Sequence, residues 1–132
     1  MKRKLKRGTH VDASVVQLRA VLKALCRRRD GLVKAGIWNT NLHLVGKAGN
    51  KMIAKDPAKD GQRKYTYIGT DQKKQQAARD QVKRYHQHED VCRAIDRCNG
   101  DLDNVLEELD RVASEAADAV KDSKQLLRVQ HD

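Results

Sequence analysis

The chain has 132 residues, with 28 lysines and arginines against 18 acidic residues, and its formal net charge is +10. It contains no Phe, one Trp and three Tyr. The interior must therefore be aliphatic, which suits helix packing better than a β-sandwich. No apolar run approaches the ~20 residues that a membrane span requires, and the basic start is not followed by the apolar stretch of a signal peptide. We predict a cytoplasmic chain of one domain with no membrane partner.

The charge is unevenly distributed along the chain. Residues 1–35 hold eleven lysines and arginines against two aspartates, a net of +9. Residues 99–132 hold four basic against nine acidic residues, a net of −5. A basic front predicts a polyanionic partner, most simply nucleic acid. The acidic C-terminal segment is expected to pack on the basic surface of the N-terminal segment, to shield that surface or to oppose it.

The first predicted elements are a basic flexible arm over residues 1–8 and a helix that Thr9 and Asp12 could cap. This helix has an apolar seam with the 4–3 spacing of a helix that packs on another helix. The seam consists of Val11, Val15, Leu18, Leu22, Leu25 and Leu32. Arg29 also falls on the seam, where it either reaches an acidic partner or marks the point at which the seam opens. Gly36 is a typical helix end.

Residues 37–70 predict a small antiparallel β-hairpin or three-stranded meander. Turn-forming residues at 46–50 and 56–61 separate the apolar runs. So few strands are not stable alone, so we expect a helix to cover one face. The strand-like residues at the start of this stretch are Ile37, Trp38, Leu42, Leu44 and Val45.

A second helix is predicted to begin at Thr70 or Asp71. One apolar series recurs every seven residues, at Ala78, Tyr85, Cys92, Asn99, Leu106, Ala113, Val120 and Leu127. A second series contains Ile95, Leu102, Leu109 and Ala116. At Asn99 and Gly100 two interpretations stay open. Either one long helix carries Asn99 in its core, or the helix breaks there and Asp101 starts another.

These elements predict an α+β fold, mostly α, with a heptad helix, a small antiparallel hairpin or meander, and a long, possibly broken C-terminal helix. They form a single helix–β-hairpin–helix domain over residues 9–124, followed by a frayed tail over 125–132. The apolar stripe of the second helix is wide enough to contact two helices. We therefore expect a homodimer, with dimer or helix-packing contacts at Cys92, Ile95, Leu102, Leu106 and Leu109.

Basic side chains of the arm, the first helix and the hairpin are the candidate phosphate contacts. They are Lys2, Arg3, Lys4, Lys6, Arg7, Lys23, Arg27, Arg28, Arg29, Lys34, Lys47, Lys51, Arg63 and Lys64. The arginines at 27–29 could instead form a solvated face at a helix C-terminus. Tyr65 and Tyr67 share one strand face beside two of these residues, where aromatic rings can stack on bases. The scarcity of large apolar residues favours their packing in the core.

No catalytic, metal or cofactor site is predicted, and the chain is not expected to be an enzyme. His86 and Glu89 share a helix face, but His88 points elsewhere, so a metal site is not indicated. No phosphate loop is present, and no serine has a local base. Cysteines without a CxxC pairing are expected to act as small apolar residues, and these are Cys26, Cys92 and Cys98.

Residues 61–71, which include Tyr65 and Tyr67, lead into a charged helix that continues to Arg84 and Tyr85. This stretch resembles the helix–β-hairpin–helix region of small proteins found beside bacterial transposases. It is similar, more loosely, to the arm-binding module of three strands and a helix in phage-type tyrosine recombinases. The resemblance covers residues 37–90 and implies a phage or mobile-element setting.

The function predicted is therefore a small nucleic-acid-binding accessory protein of a phage or mobile element, which contacts the phosphate backbone through the arm, the first helix and the hairpin. Two alternatives stay open. One is a phage-encoded inhibitor or adaptor that docks on a protein of a nucleic-acid-processing complex, with residues 101–122 as a phosphate mimic. The other is a structural assembly subunit in which the charge asymmetry drives association.

Overall fold

The computed structural model describes the backbone of residues 2–131 and the side chains of residues 13–128. The elements are α1 (Lys2–Ala35), β1 (Asn41–Val45), β2 (Lys51–Lys55), β3 (Tyr65–Gly69) and α2 (Gln72–His131). The strands form one antiparallel sheet in the order β1-β2-β3. The predicted fold class, mostly α with a small antiparallel meander and a long C-terminal helix, is confirmed.

The chain forms two compact units. One comprises Met1–Ala24 and Ile95–Asp132, and the other comprises Leu25–Ala94. The whole sheet lies in the second unit, together with the end of α1 and the first part of α2. The prediction of a single domain over residues 9–124 stays a prediction.

Helix α1 ends as predicted and begins earlier than predicted. The amide of Gly36 donates to the carbonyl oxygens of Leu32 and Val33, 3.1 Å away in each case, and its φ of 106° is typical of a residue that ends a helix. The helix begins at Lys2 rather than near Thr9. No Pro interrupts residues 2–12, and an isolated glycine costs a helix only about 1 kcal/mol. The side chains of residues 1–12 lie outside the described part, so the flexible arm stays a prediction.

The predicted seam is the least exposed side of α1 over the residues whose side chains are described. Val15 and Leu32 are buried, and the seam residues between them are half-buried. Arg29 is also half-buried, and its Nε lies 3.3 Å from Oδ1 of the adjacent Asp30. The acidic partner of Arg29 is therefore its neighbour in the chain.

The register of the sheet sorts its side chains onto two faces. Met52 and Ala54 in the central strand point inward and are 2% and 0% exposed. Their neighbour Ile53 points to the other face, between His43 of β1 and Tyr67 of β3. A register shift lies between Met52 and Ile53. Residues 37 and 38, which looked strand-like in the sequence, precede β1 and belong to no strand.

A buried glutamine joins α2 to the sheet. The amide nitrogen Nε2 of Gln75 donates to the carbonyl oxygens of Asn50 and Gly69, 2.8 Å away in each case, and the residue is 7% exposed. Oδ1 of Asp71 accepts a hydrogen bond from the amide of Lys73 at 2.9 Å. Of the two predicted N-cap candidates, Thr70 and Asp71, the N-cap is therefore Asp71.

Replacing Gln75 by alanine is expected to lower the free energy of unfolding by about 1–3 kcal/mol, because two carbonyl oxygens lose their buried donor. Gln76→Ala is the matched control, since Gln76 is exposed and donates only to Asp80 on its own helix. Its expected cost is about 0.5 kcal/mol or less. Urea unfolding followed by circular dichroism measures both, and equal losses in the two variants would contradict the role of Gln75.

Helix α2 continues without interruption through Asn99 and Gly100. Of the two open interpretations, the single long helix is confirmed and the break is wrong. The placement of Asn99 in the core is also wrong, because Asn99 is exposed. A single glycine costs a helix about 1 kcal/mol. Ile95 is buried on one side of Gly100 and Leu102 is half-buried on the other, so both flanking turns are held by packing.

The second apolar seam is covered only in its first part. Ile95 is buried, and Cys92, Leu102 and Leu109 are half-buried. Every residue from 110 to 128 is exposed. The predicted fraying of residues 125–132 stays a prediction, because the side chains of residues 129–132 lie outside the described part.

Candidate nucleic-acid interface

The outward face of the sheet combines polar, basic and aromatic side chains. Cross-strand pairing places its residues in adjacent rows, and we call this set the sheet face. It carries Lys51 and Lys55 and no acidic residue, which gives it a positive potential. The sheet face consists of Asn41, His43, Val45, Lys51, Ile53, Lys55, Tyr65 and Tyr67.

The two tyrosines of β3 point away from the core. Tyr65 is 61% exposed and Tyr67 is 66% exposed, so the expectation that they pack in the core is wrong. The inward positions of β3 belong to Thr66 and Ile68, which are half-buried. Because side chains alternate along a strand, the inward position of Thr66 and Ile68 directs both tyrosine rings outward.

Neighbouring groups lie against both rings. Nζ of Lys55 lies 5.9 Å from the centroid of the Tyr65 ring, within the range of a cation–π contact. The Tyr67 ring lies over Gly69, where an added Cβ would be 3.5 Å from Cε1. Gly69 has a φ of 100°, a conformation that favours glycine. The sheet face therefore presents two partly supported rings.

A tight turn carries further basic residues beyond the strand ends. The amide of Lys59 donates to the carbonyl of Gln62 at 2.9 Å, and the reverse bond is 3.1 Å long. Asp60 and Gly61 between them have φ values of 56° and 77°, typical of a two-residue hairpin turn in which both central residues have positive φ. Lys59 and the predicted contacts Lys47, Arg63 and Lys64 are all exposed.

The carboxylate of Asp56, directly after β2, is engaged inside the unit. Its Oδ1 accepts a hydrogen bond from Nε1 of Trp38 at 3.0 Å in a partly buried position. Its backbone amide donates to the carbonyl of Lys64 at 2.9 Å. Asp56 therefore joins the segment before β1 to the segment before β3.

A hydrogen bond from α2 fixes the chain where it leaves α1. Nε of Arg84 donates to the carbonyl of Gly36 at 2.6 Å, and the amide of Trp38 donates to the carbonyl of Gln81 at 3.1 Å. Arg84 is thus a structural arginine. It does not belong to the exposed basic set.

The predicted basic residues of α1 whose side chains the structure describes are exposed, apart from the half-buried Arg29. Among the described contacts, no hydrogen bond or ion pair joins them to the sheet face. The exposed members are Lys23, Arg27, Arg28 and Lys34. The arm residues of the predicted site have side chains outside the described part, and these are Lys2, Arg3, Lys4, Lys6 and Arg7.

Asn41 and His43 also belong to the sheet face, although they were not among the predicted contacts. Both carry groups that can hydrogen-bond to bases or sugars. Their alternation with Leu42 and Leu44 has the period of two that marks a strand with two different faces.

Among the residues that the structure describes, no group of three or more His, Cys, Asp or Glu residues could hold a metal ion. No helix in the described part of the chain is both long and apolar enough to cross a membrane. The half-buried Cys92 and His88 lie one turn apart on α2, with Sγ 3.7 Å from Nε2.

Comparison of the chain with protein-family models, with curated proteins and with solved structures found no match. The resemblance to transposase-associated proteins therefore stays a prediction.

Proposed function

We propose that this chain is a non-enzymatic, cytoplasmic accessory protein that binds nucleic acid through the sheet face. The observation that carries the proposal is the pair of exposed rings, Tyr65 and Tyr67, set among lysines on a face without a carboxylate. The phage or mobile-element setting enters only through the resemblance of residues 37–90.

Each class of side chain on the sheet face has a distinct role in this proposal. Lys51 and Lys55 contact phosphates, and the exposed basic residues of the turns extend that contact. Tyr65 and Tyr67 stack on exposed bases, which needs no sequence preference because every base has a π-face. Asn41 donates and accepts hydrogen bonds at a base edge or sugar.

The proposal predicts a strong dependence of affinity on salt. If about six phosphates are contacted, affinity for a duplex falls about 10³-fold between 50 and 200 mM salt, with a log–log slope of about −5. Fluorescence anisotropy with a labelled duplex and a labelled single strand measures both slopes. A shallower slope on the single strand is expected, because its counterions are less condensed.

A charge-reversed pair of variants assigns the binding to the sheet face. Lys51→Glu with Lys55→Glu should abolish the salt-dependent binding. Lys83→Glu with Arg97→Glu, two exposed positions on α2, changes the net charge equally and should retain most of it. Failure of both oligonucleotides to bind at the lower salt would contradict the proposal.

The exposed acidic residues of α2 favour a second function, docking on a basic groove of another protein. The acidic residues in 101–122 are all exposed. Glu108 forms an ion pair with Arg111, and its hydrogen bond and charge, with the charge of Glu115, raise the pKa of that arginine. An absence of nucleic-acid binding together with a stable protein complex would favour this function.

A further inference from the structure

The last part of α2 exposes a regular apolar stripe. Within residues 110–128 every side chain is exposed, and the large apolar members of the stripe, Val120 and Leu127, are 54% and 58% exposed. A contiguous exposed apolar face of this kind marks a contact with another molecule. The stripe lies wholly within one compact unit.

The spacing of the stripe indicates a helix as its partner. Leu106, Ala113, Val120 and Leu127 form one series with a period of seven residues. Leu102, Leu109, Ala116 and Ser123 form a second series, four residues before each member of the first. This 4–3 alternation is the pattern of a helix in a coiled coil.

We propose that a second copy of this chain covers the stripe, with the two α2 helices antiparallel. Charge decides the occupant and the direction. Residues 101–118 contain seven acidic residues and one arginine, whereas residues 119–128 contain three basic residues and one aspartate. An antiparallel pair places the acidic stretch of one copy beside the basic end of the other, while a parallel pair places like charges together.

One register aligns three of the four pairs of core positions as apolar pairs and also aligns a charged pair; the fourth pair places Leu106 opposite the partner's Ser123. In it Leu109 packs on the partner's Val120, and Leu102, half-buried in its own chain, packs on the partner's Leu127. Ala113 meets the partner's Ala116 at the centre, where small side chains allow close approach. Asp103 then flanks the partner's Lys124, and this pair occurs twice because the dimer is symmetric. Both residues are exposed in the single chain.

The association state of the full chain tests the proposal first. Sedimentation equilibrium should give twice the chain mass of 15.0 kDa. Val120→Asp should give a monomer. Val16→Asp, the same change at an exposed position outside both seams, should leave the dimer intact. A monomeric wild-type chain at high concentration, or a dimer insensitive to Val120→Asp, would overturn the proposal.

A charge swap tests the direction and the register. Asp103→Lys and Lys124→Asp should each weaken the dimer, by about tenfold for two exposed pairs. The double variant should recover an affinity within about twofold of wild type, since the opposite charges face each other again. If the double variant instead lost as much dimer affinity as the two single variants together, the antiparallel register would be excluded. None of these results depends on nucleic-acid binding, so this proposal and the proposed function fail independently.

Discussion

Replacing Tyr65 and Tyr67 together by alanine is expected to weaken binding to a single-stranded oligonucleotide by about 100-fold, because each stacked ring contributes about 1–3 kcal/mol. Both rings are exposed, so the loss should not arise from unfolding. Fluorescence anisotropy measures the affinity, and urea unfolding of the same variant checks the stability.

The matched control retains the rings and removes only their hydroxyl groups. Tyr65→Phe with Tyr67→Phe should bind within a few-fold of wild type, since stacking requires the ring and not the hydroxyl. An alanine variant that binds as tightly as wild type would show that the rings do not contact the ligand. A phenylalanine variant as weak as the alanine variant would assign the effect to the hydroxyl groups instead.

Met52→Ala is expected to lower the free energy of unfolding of the sheet-containing unit by about 2–5 kcal/mol, the usual cost of truncating a fully buried methionine. Met52 is 2% exposed in the central strand, so the loss of its side chain leaves a cavity beneath the sheet. The single Trp of the chain, Trp38, lies in the same unit and reports its unfolding by fluorescence.

The control for Met52 is its cross-strand partner. Leu44 pairs directly with Met52 but is 51% exposed. Leu44→Ala should therefore cost about 1 kcal/mol or less, in line with the smaller area that it buries. If Leu44→Ala lowered the free energy of unfolding as much as Met52→Ala, the assignment of the buried core to Met52 rather than Leu44 would be contradicted.

The end of α1 and the start of α2 could be predicted because capping is local. Gly36 and Asp71 act through hydrogen bonds to residues at most four positions away, so a short stretch of sequence contains the whole interaction. The continuity of α2 at Gly100 could not be predicted from neighbouring residues alone. A glycine disfavours a helix by about 1 kcal/mol, and whether the helix continues depends on how the flanking turns pack.

The orientation of the tyrosines depends on partners far away in the sequence. Both faces of β3 carry residues that are compatible with burial. Tyr65 and Tyr67 lie on one face, and Thr66 and Ile68 lie on the other. The register with β2 decides between them, because Met52 and Ala54 fill the inner face. The charge distribution predicts a polyanionic partner, and that stays a prediction. It does not indicate which basic residues share a surface with the rings.

Binding of nucleic acid to the sheet face is tested most directly by a titration observed by NMR. With a ¹⁵N-labelled chain and an unlabelled oligonucleotide, the largest amide shift changes should fall on residues 41–45, 51–55 and 65–67. They should appear at low salt and diminish as salt is added. Changes confined to α1 or to residues 101–128, with none in the three strands, would contradict the claim.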